Sequence, residues 1–122
     1  MKLRFRKNSL RLRLNQKEVA GLANGRAVEE YLIFPAGAVL RYRLEASPVA
    51  RETSAEFSDS LISITIPSQA AIHWLAAEDI GLYYSLPSGE AKLDIAIEKD
   101  LECVEGPADE RDPDAFPRKP SC

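Results

Sequence analysis

Seven cationic side chains, Lys2, Arg4, Arg6, Arg11, Arg13, Arg41 and Arg43, sit at alternating positions among apolar neighbours. A period of two sends successive side chains to opposite faces of a strand, so these cations share the face opposite the leucines. A guanidinium is a planar fork of donors that matches the oxygens of a phosphate or carboxylate. Arg4, Arg6, Arg11, Arg13, Arg41 and Arg43 are therefore the candidate anion-binding residues. If their sheet closed with this face inward, it would form an anion-binding tunnel. Tunnel enzymes that process triphosphates offer an analogy, but their paired glutamates near the start have no counterpart here.

Charge is divided unevenly along the chain. Residues 1–46 carry ten Lys/Arg against four acids, a balance of +6. Residues 47–98 carry two bases against eight acids, a balance of −6, and residues 99–122 add −3. The net charge of −3 thus conceals a strong internal asymmetry. The bland reading is a solvated sheet face partly neutralised by the acidic tail, because surface ion pairs contribute little each. Nucleic acid is disfavoured as a partner by the acidic balance and the lack of a glycine-rich loop, aromatic RNA-binding stripe or helix-turn-helix pattern.

Positioning these side chains requires strands. Leu3 and Phe5, then Leu10, Leu12 and Leu14, mark two half-buried strands joined by Lys7-Asn8-Ser9, with Asn8 the residue expected at positive φ. Asn15 with Glu18 has capping-box spacing, and Asn24-Gly25 closes a helix expected over 16–24. Strands near Val28–Phe34 and Val39–Leu44 follow, joined by Pro35-Ala36-Gly37. A shift of 52 positions repeats the pattern: Leu10, Leu12 and Leu14 meet Ile62, Ile64 and Ile66, and Leu22 meets Trp74. Pro35-Ala36-Gly37 meets Pro87-Ser88-Gly89, and a second helix over 68–77 is expected to be capped by Ser68. The reading is an α+β protein with a duplicated β-β-α-β-β unit and eight mainly antiparallel strands. One sheet of that size must curl or close, so a barrel-like shape with two helices is expected. The domain spans 1–104, with repeats 1–46 and 53–98, and 105–122 is an acidic, proline-rich tail whose large apolar residue is Phe116.

Other groups point to less. His73 beside Trp74 has no nucleophile at motif spacing, Trp74 reads as core, and the four tyrosines read as packing residues. Adjacent carboxylates such as Glu29-Glu30 and Glu78-Asp79 point to opposite faces of a strand and assemble no metal site. Cys103 and Cys122 form no CxxC pair and are expected to be free thiols, and one histidine argues against structural zinc. The sequence names no cofactor. No apolar run is long enough to cross a bilayer and no secretory pattern opens the chain, so cytoplasmic residence without membrane association is expected.

The opening Lys2 to Leu14, with Glu98-Lys99-Asp100, Cys103 and Asp114-Ala115-Phe116-Pro117, resembles a family of short uncharacterised bacterial proteins over nearly the whole chain. That resemblance implies a bacterial cytosolic protein and supplies no activity. The functional expectation is a small binding or interaction protein whose basic first-half face receives a small anion or an acidic protein segment. The alternative is a small enzyme acting on a phosphorylated or carboxylated substrate. Oligomeric state is not legible in the sequence.

Overall fold

A computed structural model describes residues 1–101, which form eight strands and two helices. In chain order they are β1 (Lys2–Arg6), β2 (Ser9–Leu14), α1 (Gln16–Ala23), β3 (Val28–Ile33), β4 (Val39–Ser47), β5 (Ser54–Ser58), β6 (Leu61–Pro67), α2 (Ser68–Ala76), β7 (Gly81–Ser88) and β8 (Ala91–Lys99). The readings of Cys103, Cys122 and the tail lie outside the described residues.

The strands do not curl into one closed sheet. They make two four-stranded sheets, ordered β1-β2-β8-β7 and β3-β4-β6-β5. Hairpin pairs β1·β2, β3·β4, β5·β6 and β7·β8 are antiparallel, whereas the central pairs β2·β8 and β4·β6 are parallel. The expected barrel fails for a topological reason. A helix separates the two hairpins of each half, and each hairpin then finds its sheet partner in the other half. Edges therefore remain at β1, β7, β3 and β5. Charged residues on β1 and Pro87 on β7 suit such positions, since both discourage edge pairing. Moving each element 52 residues along converts the first sheet order into the second, and Leu12↔Ile97 in one sheet matches Ile64↔Leu44 in the other.

Local chemistry sets the helix ends. Asn15 accepts a hydrogen bond from the Glu18 N–H at 2.9 Å, and the Glu18 carboxylate accepts from the Asn15 N–H at 3.0 Å. The far end of α1 is a Schellman motif: the Arg26 N–H donates to Gly21 O and the Gly25 N–H to Leu22 O, with Gly25 at φ 84°. The second helix differs from expectation. Pro67 occupies its N-cap, and Ser68 is already the first helical residue with no side-chain cap. The fixed φ of Pro67 (−62°) supplies the entry geometry instead. In the β1–β2 turn, Lys7 rather than Asn8 takes positive φ (53°), and the Asn8 amide reaches across to donate to Lys92 O at 2.6 Å.

One buried cluster serves both sheets and both helices: Leu12, Leu14, Val19, Leu22, Leu44, Ile64, Ile66, Ala71, Trp74, Ile95 and Ile97. Leu12 and Leu14 stand 52 positions from Ile64 and Ile66, as Val19 and Leu22 do from Ala71 and Trp74. Trp74 is fully buried, its Nε1 donates to Ile80 O at 3.4 Å, and the Lys99 ammonium lies 5.9 Å from its ring centroid. Removing a core side chain of this size costs about 3–5 kcal/mol. The residues facing away from this cluster on the two sheets carry the charges.

Candidate functional site

On the first sheet the register aligns the outward residues in rows across β1, β2, β8 and β7. One row is Lys2, Arg13, Glu98 and Gly81; the next is Arg4, Arg11, Ala96 and Tyr83; the third is Arg6, Ser9, Asp94 and Ser85. The parallel β2·β8 pairing thus lays two carboxylates from the acidic half beside five cations from the basic half. With Asp100 beside Lys2, five cations meet three carboxylates among the described residues. Arginines directly opposite each other, as Arg4 and Arg11 are, repel.

Glu98 is the fixed point of this face, only 7% exposed. Its Oε2 accepts a 2.8 Å hydrogen bond from the Tyr83 hydroxyl, and its Oε1 lies 3.1 Å from Arg11 Nε and 3.7 Å from Arg13 Nε. A buried carboxylate is costly unless paired and hydrogen-bonded, and these three groups provide that compensation. Gly81 makes the arrangement possible. A β-carbon there would stand 2.9 Å from both Glu98 Cγ and the Tyr83 hydroxyl, and 2.8 Å from Ile97 O. Lys2 is matched separately, its Nζ 2.7 Å from Asp100 Oδ2.

Arg4 and Arg6 differ from the other three cations. Both are exposed, and among the described residues no carboxylate lies within ion-pair distance of either. They line an open concavity of about 580 Å³ together with Ser9, Arg11, Tyr83 and Asp94. Ser9 is oriented by its own hydroxyl, which donates to Arg6 O at 2.7 Å.

Arg41 and Arg43 are not part of this face. They project from β4 on the second sheet and are neutralised there: Arg41 lies 3.5 Å from Glu29, and Arg43 lies 3.9 Å from Glu29 and 3.0 Å from Glu45. Thr65 donates to the other Glu45 oxygen at 3.3 Å. Of the six arginines singled out from sequence, four are therefore brought together and two are sent elsewhere. An inward anion tunnel is also excluded, because the arginines face away from the core cluster. Tyr83, read from sequence as packing, is 62% exposed and belongs to the site; Tyr42 and Tyr84 do pack against the core. Glu98 and Gly81 were missed because their roles arise from a pairing between residues far apart in the chain. Among the described residues no cluster of three metal-binding side chains forms. His73 is on α2, which packs on β4 and β6 of the second sheet.

A second ionic cluster is structural. The Met1 ammonium is bound by Glu18 and, at 2.7 Å, by Glu30, while the Tyr42 hydroxyl donates to Met1 O at 2.9 Å. Burial works against the ammonium's charge, but the hydrogen bonds and charges of Glu18 and Glu30 outweigh it and raise its pKa above 8.0. Burial, with the charges of Glu30 and Glu18, raises that of Tyr42. Glu29 and Glu30 illustrate strand alternation, one serving the outer arginines and the other the amino terminus.

No helix among the described residues is long and apolar enough to cross a membrane. No curated protein and no solved structure gives a significant match to this chain. The model of a family of unknown function, DUF7009, matches residues 1–120, spanning both sheets and both helices, and the chain belongs to that family.

Proposed function

We propose that the outer face of the β1-β2-β8-β7 sheet is a binding site for a small anion, phosphate or carboxylate in kind. The observation that carries this reading is the pair Arg4 and Arg6, lying beside Arg11 in an open concavity with no carboxylate at ion-pair distance among the described residues. Glu98, itself held by the Tyr83 hydroxyl, engages Arg11 at its Nε, so this arginine is oriented before a ligand arrives, which lowers the cost of binding. Arg41 and Arg43, already neutralised on the other sheet, are not needed for it.

The alternative, a small enzyme acting on a phosphorylated or carboxylated substrate, draws on the presence of a carboxylate among the arginines. Both oxygens of Glu98 are engaged with Tyr83 and the arginines, which suits a counter-ion better than a proton-transfer group. An acidic protein segment, residues 105–122 of this chain included, is the competing occupant. We infer further that the matching sheet orders and the core residues 52 positions apart reflect duplication of one unit, 1–46 and 53–98, within a single domain of a bacterial cytosolic protein.

Thermal shift with phosphate, pyrophosphate and citrate at low and high salt tests the reading. Ligand at a hundred times Kd stabilises by about 2.7 kcal/mol, which at about 4–8 °C per kcal/mol for a domain of this size is a large shift. Arg4→Glu with Arg6→Glu is expected to abolish it, whereas Arg41→Glu leaves it intact. A response no greater than that to sulfate refutes the proposal.

A further inference from the structure

Resting on that reading, the same concavity identifies the rest of the ligand. Asp94 shares the third row with Arg6, two strands away across Ser9, at a strand spacing that sets them about 10 Å apart. Its side chain is exposed, and among the described residues no cation lies within ion-pair distance of it. A carboxylate at the margin of an anion site repels a bare anion and accepts hydrogen bonds from hydroxyl or amino groups. Ser9 and Ser85 flank Asp94 in the same row; the Ser9 hydroxyl is committed to Arg6 O, while that of Ser85 can add to the hydrogen bonding. Tyr83 then lies in the adjoining row, the residue 62% exposed and its hydroxyl tethered to Glu98 at 2.8 Å. An exposed aromatic residue whose far end is anchored offers a flat group a surface for stacking. The concavity of about 580 Å³ falls in the size range of small-molecule sites.

We propose that the ligand is a nucleoside phosphate, with its phosphate on Arg4 and Arg6, its sugar hydroxyls on Asp94 and its base on Tyr83. The three features lie in adjoining rows of one rigid sheet, so a single bipolar molecule with a flat end satisfies them together. An inorganic anion uses only the first.

Isothermal titration of the full chain with inorganic phosphate, ribose 5-phosphate, adenosine monophosphate and adenosine separates these contributions. Affinity is expected to rise from phosphate to ribose 5-phosphate to the nucleotide, with adenosine weak. Asp94→Asn is expected to weaken the two sugar phosphates several-fold while leaving phosphate unchanged or tighter, because a like charge is removed. Compared with Tyr83→Phe, which loses the same hydroxyl but keeps the ring, Tyr83→Leu is expected to weaken the nucleotide by about 5- to 100-fold, the range of base stacking on an aromatic side chain, without the same loss for ribose 5-phosphate. Phosphate binding with no gain for the sugar phosphates overturns this inference and leaves the anion site standing. An equal loss for all three ligands in Asp94→Asn, with circular dichroism and melting unchanged, also overturns it. No binding of any ligand removes both.

Discussion

Replacing Gly81 by alanine tests whether the buried Glu98 arrangement is as tightly fitted as its geometry implies. The added carbon would lie 2.8 Å from Ile97 O and 2.9 Å from both Glu98 Cγ and the Tyr83 hydroxyl, where ordinary contacts begin at 3.4 Å. About half an ångström must be found at three points. Ile97 O cannot yield readily, because β8 is paired on both sides, with β2 and β7. Edge strand β7 must therefore move outward, at an overpacking cost of about 1–3 kcal/mol. Weakening the Tyr83 to Glu98 bond adds up to about 1.5–3 kcal/mol, the scale of a hydrogen bond to a charged group. Lower entropy of the unfolded chain returns about 0.4–1 kcal/mol. Together these bound the net loss between near zero and about 5 kcal/mol, with about 2–3 kcal/mol at the centre of the range, lowering Tm by roughly 4–8 °C for each kcal/mol. Urea unfolding followed by circular dichroism should show a reduced midpoint at constant m. In a Tyr83→Phe background the penalty should shrink, because one of the three close contacts is gone. An alanine variant as stable as the parent would refute the close-packing argument and with it the claim that Glu98 is held rigidly.

Gly21→Ala offers the opposite outcome: its nearest contact is Arg26 Cβ at 3.8 Å, so helix α1 should gain about 0.5–1 kcal/mol, read as a higher Tm. Trp74→Ala should cost about 3–5 kcal/mol in urea unfolding, since the fully buried indole belongs to a core cluster that both halves supply. Stability should fall in alkali. The Met1 ammonium, its pKa raised above 8.0 in the folded state, contributes fully below pH 8 and is lost as pH rises through the folded value. The raised pKa of Tyr42 adds to this above pH 10, where the unfolded phenol loses its proton first. A melting temperature flat from pH 7 to 11 would contradict both assignments. Deleting residues 105–122 removes five carboxylates and three bases, and should strengthen phosphate binding at low salt, measured by titration. Unchanged affinity would exclude that segment as a competitor.

Local signals decided the elements. Alternation of Leu10, Leu12 and Leu14 with Ser9, Arg11 and Arg13 fixed which face of β2 is buried, because a strand has only two faces. Asn15 with Glu18, and Asn24-Gly25, fixed both ends of α1 through hydrogen bonds within a few residues. Trp74 was legible as core through its offset from Leu22. The partners of each strand were not legible, because period-two alternation records burial and carries no information on which neighbour supplies the ladder. Tertiary structure alone chose parallel β2·β8 and β4·β6 pairing between the halves over one closed sheet. That choice separated Arg41 and Arg43 from Arg4, Arg6, Arg11 and Arg13. It also brought Glu98, Asp94 and Tyr83 of the acidic half onto the arginine face. The sequence determined that the cations would lie on sheet surfaces opposite the core. Only the crossing of hairpins between the halves decided which cations meet, and which carboxylates meet them.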